Sequence, residues 1–140
     1  MFNQDFIMRQ IQQMTQVLNK ILIQVLNLRK IDNQAETLNI LNRELIEEVG
    51  FDIDEILSIK TEAELISFIK KTGFNTENLN ILADILFEVA DQGLEDPDKS
   101  EVSIKLFSMS LELYEYIEKS ENIYSIDRNL KISMIKNILN

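Results

Sequence analysis

The sequence predicts an all-α fold in a single domain, residues 1–140, and three observations carry that expectation. The chain holds only three glycines and one proline, too few for the turns of a β-rich architecture, while Leu, Ile, Glu, Lys and Asn dominate it. Apolar residues recur at helical spacing along most of its length. Between those stretches, Asp, Asn, Thr and Gly stand where helix caps belong. The expected architecture is an array of about six to seven antiparallel helices joined by short loops. With 140 residues, 45% of them apolar and 27% charged, the chain is long enough for one core and well clear of the disordered class.

The first helix is the most apolar. In "VLNKILIQVLNL", Val17 to Leu28, the polar residues fall on one narrow stripe that begins upstream: Arg9, Gln13, Gln16, Lys20, Gln24 and Asn27. Opposite them Ile7, Ile11, Met14, Leu18, Ile21, Val25 and Leu28 alternate steps of four and three, the spacing of a heptad seam. Val17, Leu22, Ile23 and Leu26 add a second apolar flank. No unbroken apolar run exceeds Ile21 to Ile23, whereas a membrane span needs about 20 residues. A helix dry over most of its girth must be covered on more than one side, either by its own chain alone or by its own chain and a second subunit. The seam is therefore a candidate interaction or self-association face. One turn apart on the same helix, Asp5 and Arg9 read as a surface ion pair.

Downstream, cap signals place the remaining elements. Asp32 is the expected N-cap of a helix running to about Val49, with Ala35, Leu38, Leu41, Leu45 and Val49 inward and Gly50 past its end. Asp52 with Glu55, and Thr61 with Glu64, have capping-box spacing and open two short helices. The first carries Ile53, Ile56 and Leu57; the second carries Leu65, Phe68 and Ile69 and stops at Gly73. Asn75 opens a helix through Asp91, stapled by Phe74 and Leu79, with Leu79, Leu82, Ala83, Leu86 and Val89 buried. Asp96 and Pro97 read as N-cap and first position of a long helix to about Lys119, whose core face is Val102, Leu106, Met109, Leu113 and Ile117 with Phe107, Leu111 and Tyr114 alongside. Ile123, Ile126, Leu130, Met134 and Ile138 are the expected inward stripe of a last helix that closes the array.

Composition narrows the chemistry. A net charge of −10 repels nucleic acid and anionic lipid, so neither is an expected partner. The absence of His and Cys removes the usual general base, the usual thiol nucleophile and most transition-metal sites, and the expectation is a protein that is not an enzyme and uses no cofactor. Glu47, Glu48, Asp52, Asp54 and Glu55 read as caps and a solvated helix end. Glu95, Asp96, Asp98 and Glu101 lack the Gly and Glu positions of a calcium-binding loop. The opening "MFNQDFIMRQ" has no basic segment followed by an apolar core, and with the lack of Cys this makes a cytoplasmic location the expectation. The wealth of Ile, Asn and Lys suits a bacterium with an A/T-rich genome. Tyr116, beside Leu113 and Ile117 on the inward stripe, is the tyrosine expected to face outward and contact a partner.

Two resemblances follow from these residues. The pair "LNILADILFEVAD" and "SEVSIKLFSMSLELYEYIEKS" resembles the two helices of a tetratricopeptide repeat, a repeat-like pair spanning about residues 75–119. Ala83 stands at the small position of the first helix, and Ser103, Phe107 and Ser110 at the small, aromatic and small positions of the second; Ser replaces Ala twice and the signature Trp is absent. The opening "MFNQDFIMRQIQQM", with Asp5, Phe6, Ile7 and Arg9, resembles a family of small bacterial proteins of unassigned activity. The resemblances imply an all-helical, repeat-like protein that binds protein or peptide on a concave surface, an acidic rim favouring a basic partner. The alternative is a structural homodimer assembled through the first helix.

Overall fold

A computed structural model describes the backbone of residues 2–95 and 100–140 and the side chains of residues 8–94 and 101–140. Among the described residues seven α-helices follow in order: α1 (Phe2–Ile31), α2 (Gln34–Glu44), α3 (Ile53–Leu57), α4 (Glu62–Thr72), α5 (Thr76–Gln92), α6 (Ser100–Ser120) and α7 (Ile126–Leu139). Among the described residues there is no strand, and no helix is long and apolar enough to cross a membrane.

The punctuation follows local chemistry. Asp52, Thr61, Asn75 and Ser125 each accept a hydrogen bond from the backbone N–H three residues on, satisfying a donor that has no partner within the helix. Asn75 and Asn78 complete a reciprocal box, with Asn in the place usually taken by Glu or Gln. The cap of α2 is Asn33 rather than Asp32, whose N–H still belongs to the last turn of α1, bonded to the Leu28 carbonyl. Gly50 (φ 99°) and Gly73 (φ 71°) end their helices in the left-handed region, where a side chain is strained. Before Gly50 the chain widens into a π-turn, Leu45–Val49, closed by Gly50 N–H to Leu45 C=O. Asn42 Oδ1 then accepts the Ile53 N–H at 2.8 Å, so α2 holds the start of α3. The expected cap at Asp96 and Pro97 lies outside the described residues, as do the side chains of Asp5 and Ile7.

α5 is the centre. Leu79, Ile81, Leu82, Ala83, Ile85, Leu86, Phe87, Val89 and Ala90 are all buried on it, with α1, α2, α6 and α7 around. α5 and α6 are antiparallel: Ser110 Oγ donates to the Ala83 carbonyl (2.8 Å), and Phe87 meets the Phe107 ring edge-on at 5.6 Å. α1 instead runs parallel to α5, with Thr15 beside Asn78 at one end and Arg29 beside Glu88 and Asp91 at the other. The array is thus antiparallel within the α5–α6 pair but not throughout. At the far end Phe51, Phe68 and Phe74 form an edge-to-face trio, centroids 5.1–6.2 Å apart, that joins the leads into α3 and α5 to α4.

Three inward faces differ from expectation. On α2, Ala35 is exposed while Gln34 and Thr37 are buried. Gln34 can go inward because its amide donates to the Val89 carbonyl (2.9 Å) and Ser103 Oγ (3.0 Å). Gly93 leaves the room: a Cβ there would stand 2.2 Å from Gln34 Nε2 and 2.3 Å from Ser103 Oγ. Val102, expected in the core of α6, is exposed. The largest reversal is α7, whose expected inward stripe faces solvent: Ile123 is 71% exposed, Ile126 69%, Leu130 59%, Met134 46% and Ile138 36%. Arg128 and Ile135 are buried in their place, with Ile132 and Leu139 packed on the core.

Leu18→Asp and Val25→Asp each place an unpaired charge at positions 0% and 1% exposed, and each is expected to lower unfolding free energy by about 4 kcal/mol or more. Urea denaturation checks this, and an unchanged midpoint would overturn the assignment of α1 to the core. Gly93→Ala should cost about 1–3 kcal/mol by crowding Gln34. Because Gln34→Ala in the same chain makes room, the double variant should lose less than the sum of the two single losses.

Candidate functional site

α1 has 30 residues against 17 in α5, about 45 Å against 26 Å at 1.5 Å per residue. Since Thr15 is level with the start of α5, the N-terminal half of α1 projects past its main support. A groove of about 500 Å³ opens there, between α1, the end of the π-turn and the α4–α5 junction. Ile11, Met14, Val17 and Phe74 give it an apolar lining, and Gln10, Gln13, Glu48, Thr72 and Asn78 its polar groups. Asn78 is buried but satisfied: its Nδ2 donates to Thr15 Oγ1 at 2.8 Å and its Oδ1 accepts the Asn75 N–H at 3.3 Å. Thr15 donates in turn to the Ile11 carbonyl. With these polar atoms already paired, the groove offers mainly apolar area, with Gln10, Gln13 and Glu48 exposed at its edge.

The seam residues divide by position. Leu18, Ile21 and Val25 are buried within their own chain; Ile11, Met14 and Leu28 are half-buried. Ile11 and Met14 line the groove, and the side chain of Ile7 lies outside the described residues. Tyr116 is half-buried against the core rather than projecting. Leu113 and Ile117 take the inward stripe as expected. Of the carboxylates around Gly50, Asp52 caps α3 and Glu55 pairs with Lys71 at 3.3 Å; among the described residues no three metal-ligating side chains gather at one point. Of the second acidic cluster, the side chains of Glu95, Asp96 and Asp98 lie outside the described residues. Sequence reading missed Phe74 and Glu48 as groove residues. The capping motif that placed Phe74 at the α4–α5 turn was the available signal, but the groove exists only because α1 passes over that turn.

Electrostatics concentrate on one stripe of α5. Arg29 of α1 pairs with Glu88 and Asp91, the latter at 2.7 Å. Burial pulls the guanidinium pKa down, but hydrogen bonds to Asp91 and Glu88 outweigh it and hold it above its ordinary value. From α7, Arg128 Nη1 donates to Asn80 (3.3 Å) while its Nε pairs with Glu118 of α6 at 2.6 Å. Lys131 bridges Asp84 (3.1 Å) and Asp127 (3.2 Å), with its ammonium 5.5 Å from the Phe87 ring centroid. Burial lowers the Lys131 pKa, and Asp84 and Asp127 more than reverse this. The Tyr114 hydroxyl also donates to Asp84; burial, then the Asp84 charge, push its pKa well above the ordinary value.

None of the family models, curated proteins or solved structures compared with the chain matches it. Among the described residues the structure defines a small all-helical protein with an apolar groove beside the N-terminal half of its longest helix.

An unfolded tyrosine ionises near 10.0, whereas Tyr114 keeps its proton in the fold, so above about pH 10 the native state binds more protons than the unfolded one and stability falls. Lys131, held above its ordinary 10.5, adds to the same decline. Urea titrations across the alkaline range should show this fall, and Tyr114→Phe should make it shallower.

Proposed function

We propose that the chain is a non-catalytic protein-protein interaction module, a tetratricopeptide-like scaffold that seats an apolar segment of a partner polypeptide in the groove between α1 and the α4–α5 junction. One observation carries the reading: Ile11, Met14, Val17 and Phe74 line an open groove that no part of the described chain fills. The tetratricopeptide-like description is supported by the antiparallel α5–α6 pair, in which Ala83, Ser103, Phe107 and Ser110 are all fully buried. Glu48 at the rim and the net charge of −10 favour a segment whose apolar residues are flanked by Lys or Arg. A non-catalytic role fits a chain without His or Cys, and the bacterial cytoplasm fits its composition. A homodimer built through α1 is the alternative, and its opening would be this same groove, because Leu18, Ile21 and Val25 are already covered.

Selection from a library of helical peptides, followed by methyl chemical-shift mapping, tests the proposal. Binders should carry Leu, Ile or Phe beside Lys or Arg, shift the methyls of Ile11, Met14 and Val17, and lose at least tenfold in affinity, about 1.4 kcal/mol, in Met14→Asp. Binders that shift only methyls elsewhere, or that bind Met14→Asp as well as the native chain, would overturn it.

A further inference from the structure

The outward face of α7 is built the wrong way round for a helix at a protein surface. Its charged residues Arg128 and Lys131 reach inward to Glu118, Asn80 and Asp84, while Ile126, Leu130, Met134 and Ile138 line the side turned to solvent. Ile123 and Tyr124, both 71% exposed, stand just before the α7 N-terminus. Together these six side chains expose on the order of 600 Å² of largely apolar surface, approaching the roughly 800 Å² that each partner contributes to a standard interface.

We infer that this face is covered by the same face of a second copy, the two α7 helices crossing antiparallel about a two-fold axis. The stripe is its own complement: steps of four place its residues symmetrically about Ile132, so reversing the helix sets Ile126 against Ile138 of the second copy and Leu130 against Met134. Such a row of i, i+4 positions is the ridge that interdigitates with an identical ridge in the commonest helix crossing. Charge selects the copy over the basic partner that the groove favours. α7 carries one acid, Asp127, and three bases, Arg128, Lys131 and Lys136, within a chain of net charge −10. Arg128 and Lys131 are compensated by Glu118, Asp84 and Asp127, so this face holds no spare carboxylate to attract a basic partner, and two acidic copies can meet where little net charge lies. Along the stripe one flank carries Asn129, Ser133 and Asn137, which accept burial at a rim without separating charge. The inference does not depend on the groove, which lies on other elements.

Light scattering of the full chain over about 1–500 μM measures the association. The native chain should reach twice its 16.3 kDa monomer mass. Leu130→Asp should weaken that association at least a hundredfold, while circular dichroism at concentrations below dissociation stays native, since Leu130 is 59% exposed. A native chain that remains monomeric throughout, or a dimer that Leu130→Asp leaves intact, overturns the proposal. A dimer lost in Met14→Asp and kept in Leu130→Asp would move the interface to α1, a result that sinks this inference and favours the α1 homodimer. The chain has no cysteine, so Leu130→Cys combined with Met134→Cys provides a second measurement. Mild oxidation should yield a covalent dimer joined 130 to 134, and recovery of monomer alone would count against the crossing.

Discussion

A row of polar residues on an otherwise dry central helix governs the arrangement of the others. Asn80, Asp84, Glu88 and Asp91 are spaced along one side of α5, and each is met by a base from the first or the last helix: Arg128 on Asn80, Lys131 on Asp84, Arg29 on Glu88 and Asp91. Leaving those carboxylates unpaired at the margin of a core would be costly, and a base that reaches them cannot also turn its own apolar neighbours inward. That trade fixes the rotation of α7 about its axis. With Arg128 and Lys131 committed to α5, geometry sends Ile126, Leu130 and Met134 outward.

The same row sets the end of α1. Arg29 anchors its last turns against α5, and Thr15 with Asn78 fixes the register at the other end. Among the described residues, Gln10, Ile11, Gln13 and Met14 then lie beyond the start of α5, where the end of the π-turn and the α4–α5 junction complete the groove. The groove is thus a consequence of helix length and register together, and the outward face of α7 a consequence of the same charged stripe.

Much of this was legible in the sequence because caps and buried stripes rest on local chemistry. Gly50, Gly73, Asn75, Asp52 and Thr61 sit where their residue types require, and Leu41, Leu45, Phe68, Leu106, Leu113 and Ile117 are core residues as their spacing indicates. What periodicity could not decide was the direction of a helix with apolar residues on two sides. α7 offers Ile132, Ile135 and Leu139 on one face and Ile126, Leu130, Met134 and Ile138 on the other, and the choice was made by partners some fifty positions upstream. α2 shows the same limit: Gln34 is inward only because Gly93 makes a notch and Ser103 and Val89 supply acceptors. The groove was half legible. Met14 and Ile11 were marked as a face, but nothing local says that α1 overruns its support.

The parallel pairing of α1 with α5 also constrains the order of assembly. Its tethers close loops of 63 residues between Thr15 and Asn78 and 59 between Arg29 and Glu88, whereas Ser110 lies only 27 residues from Ala83. Loop closure therefore favours the α5–α6 hairpin as the early structure and α1 as a late arrival. On a ribosome α1 emerges before α5, and at roughly 5–20 residues per second it waits several seconds for α5 to follow. Its row of Arg9, Gln13, Gln16, Lys20, Gln24 and Asn27 then has a task before folding is finished: to keep a nearly dry helix in solution until the surface that receives it has been made.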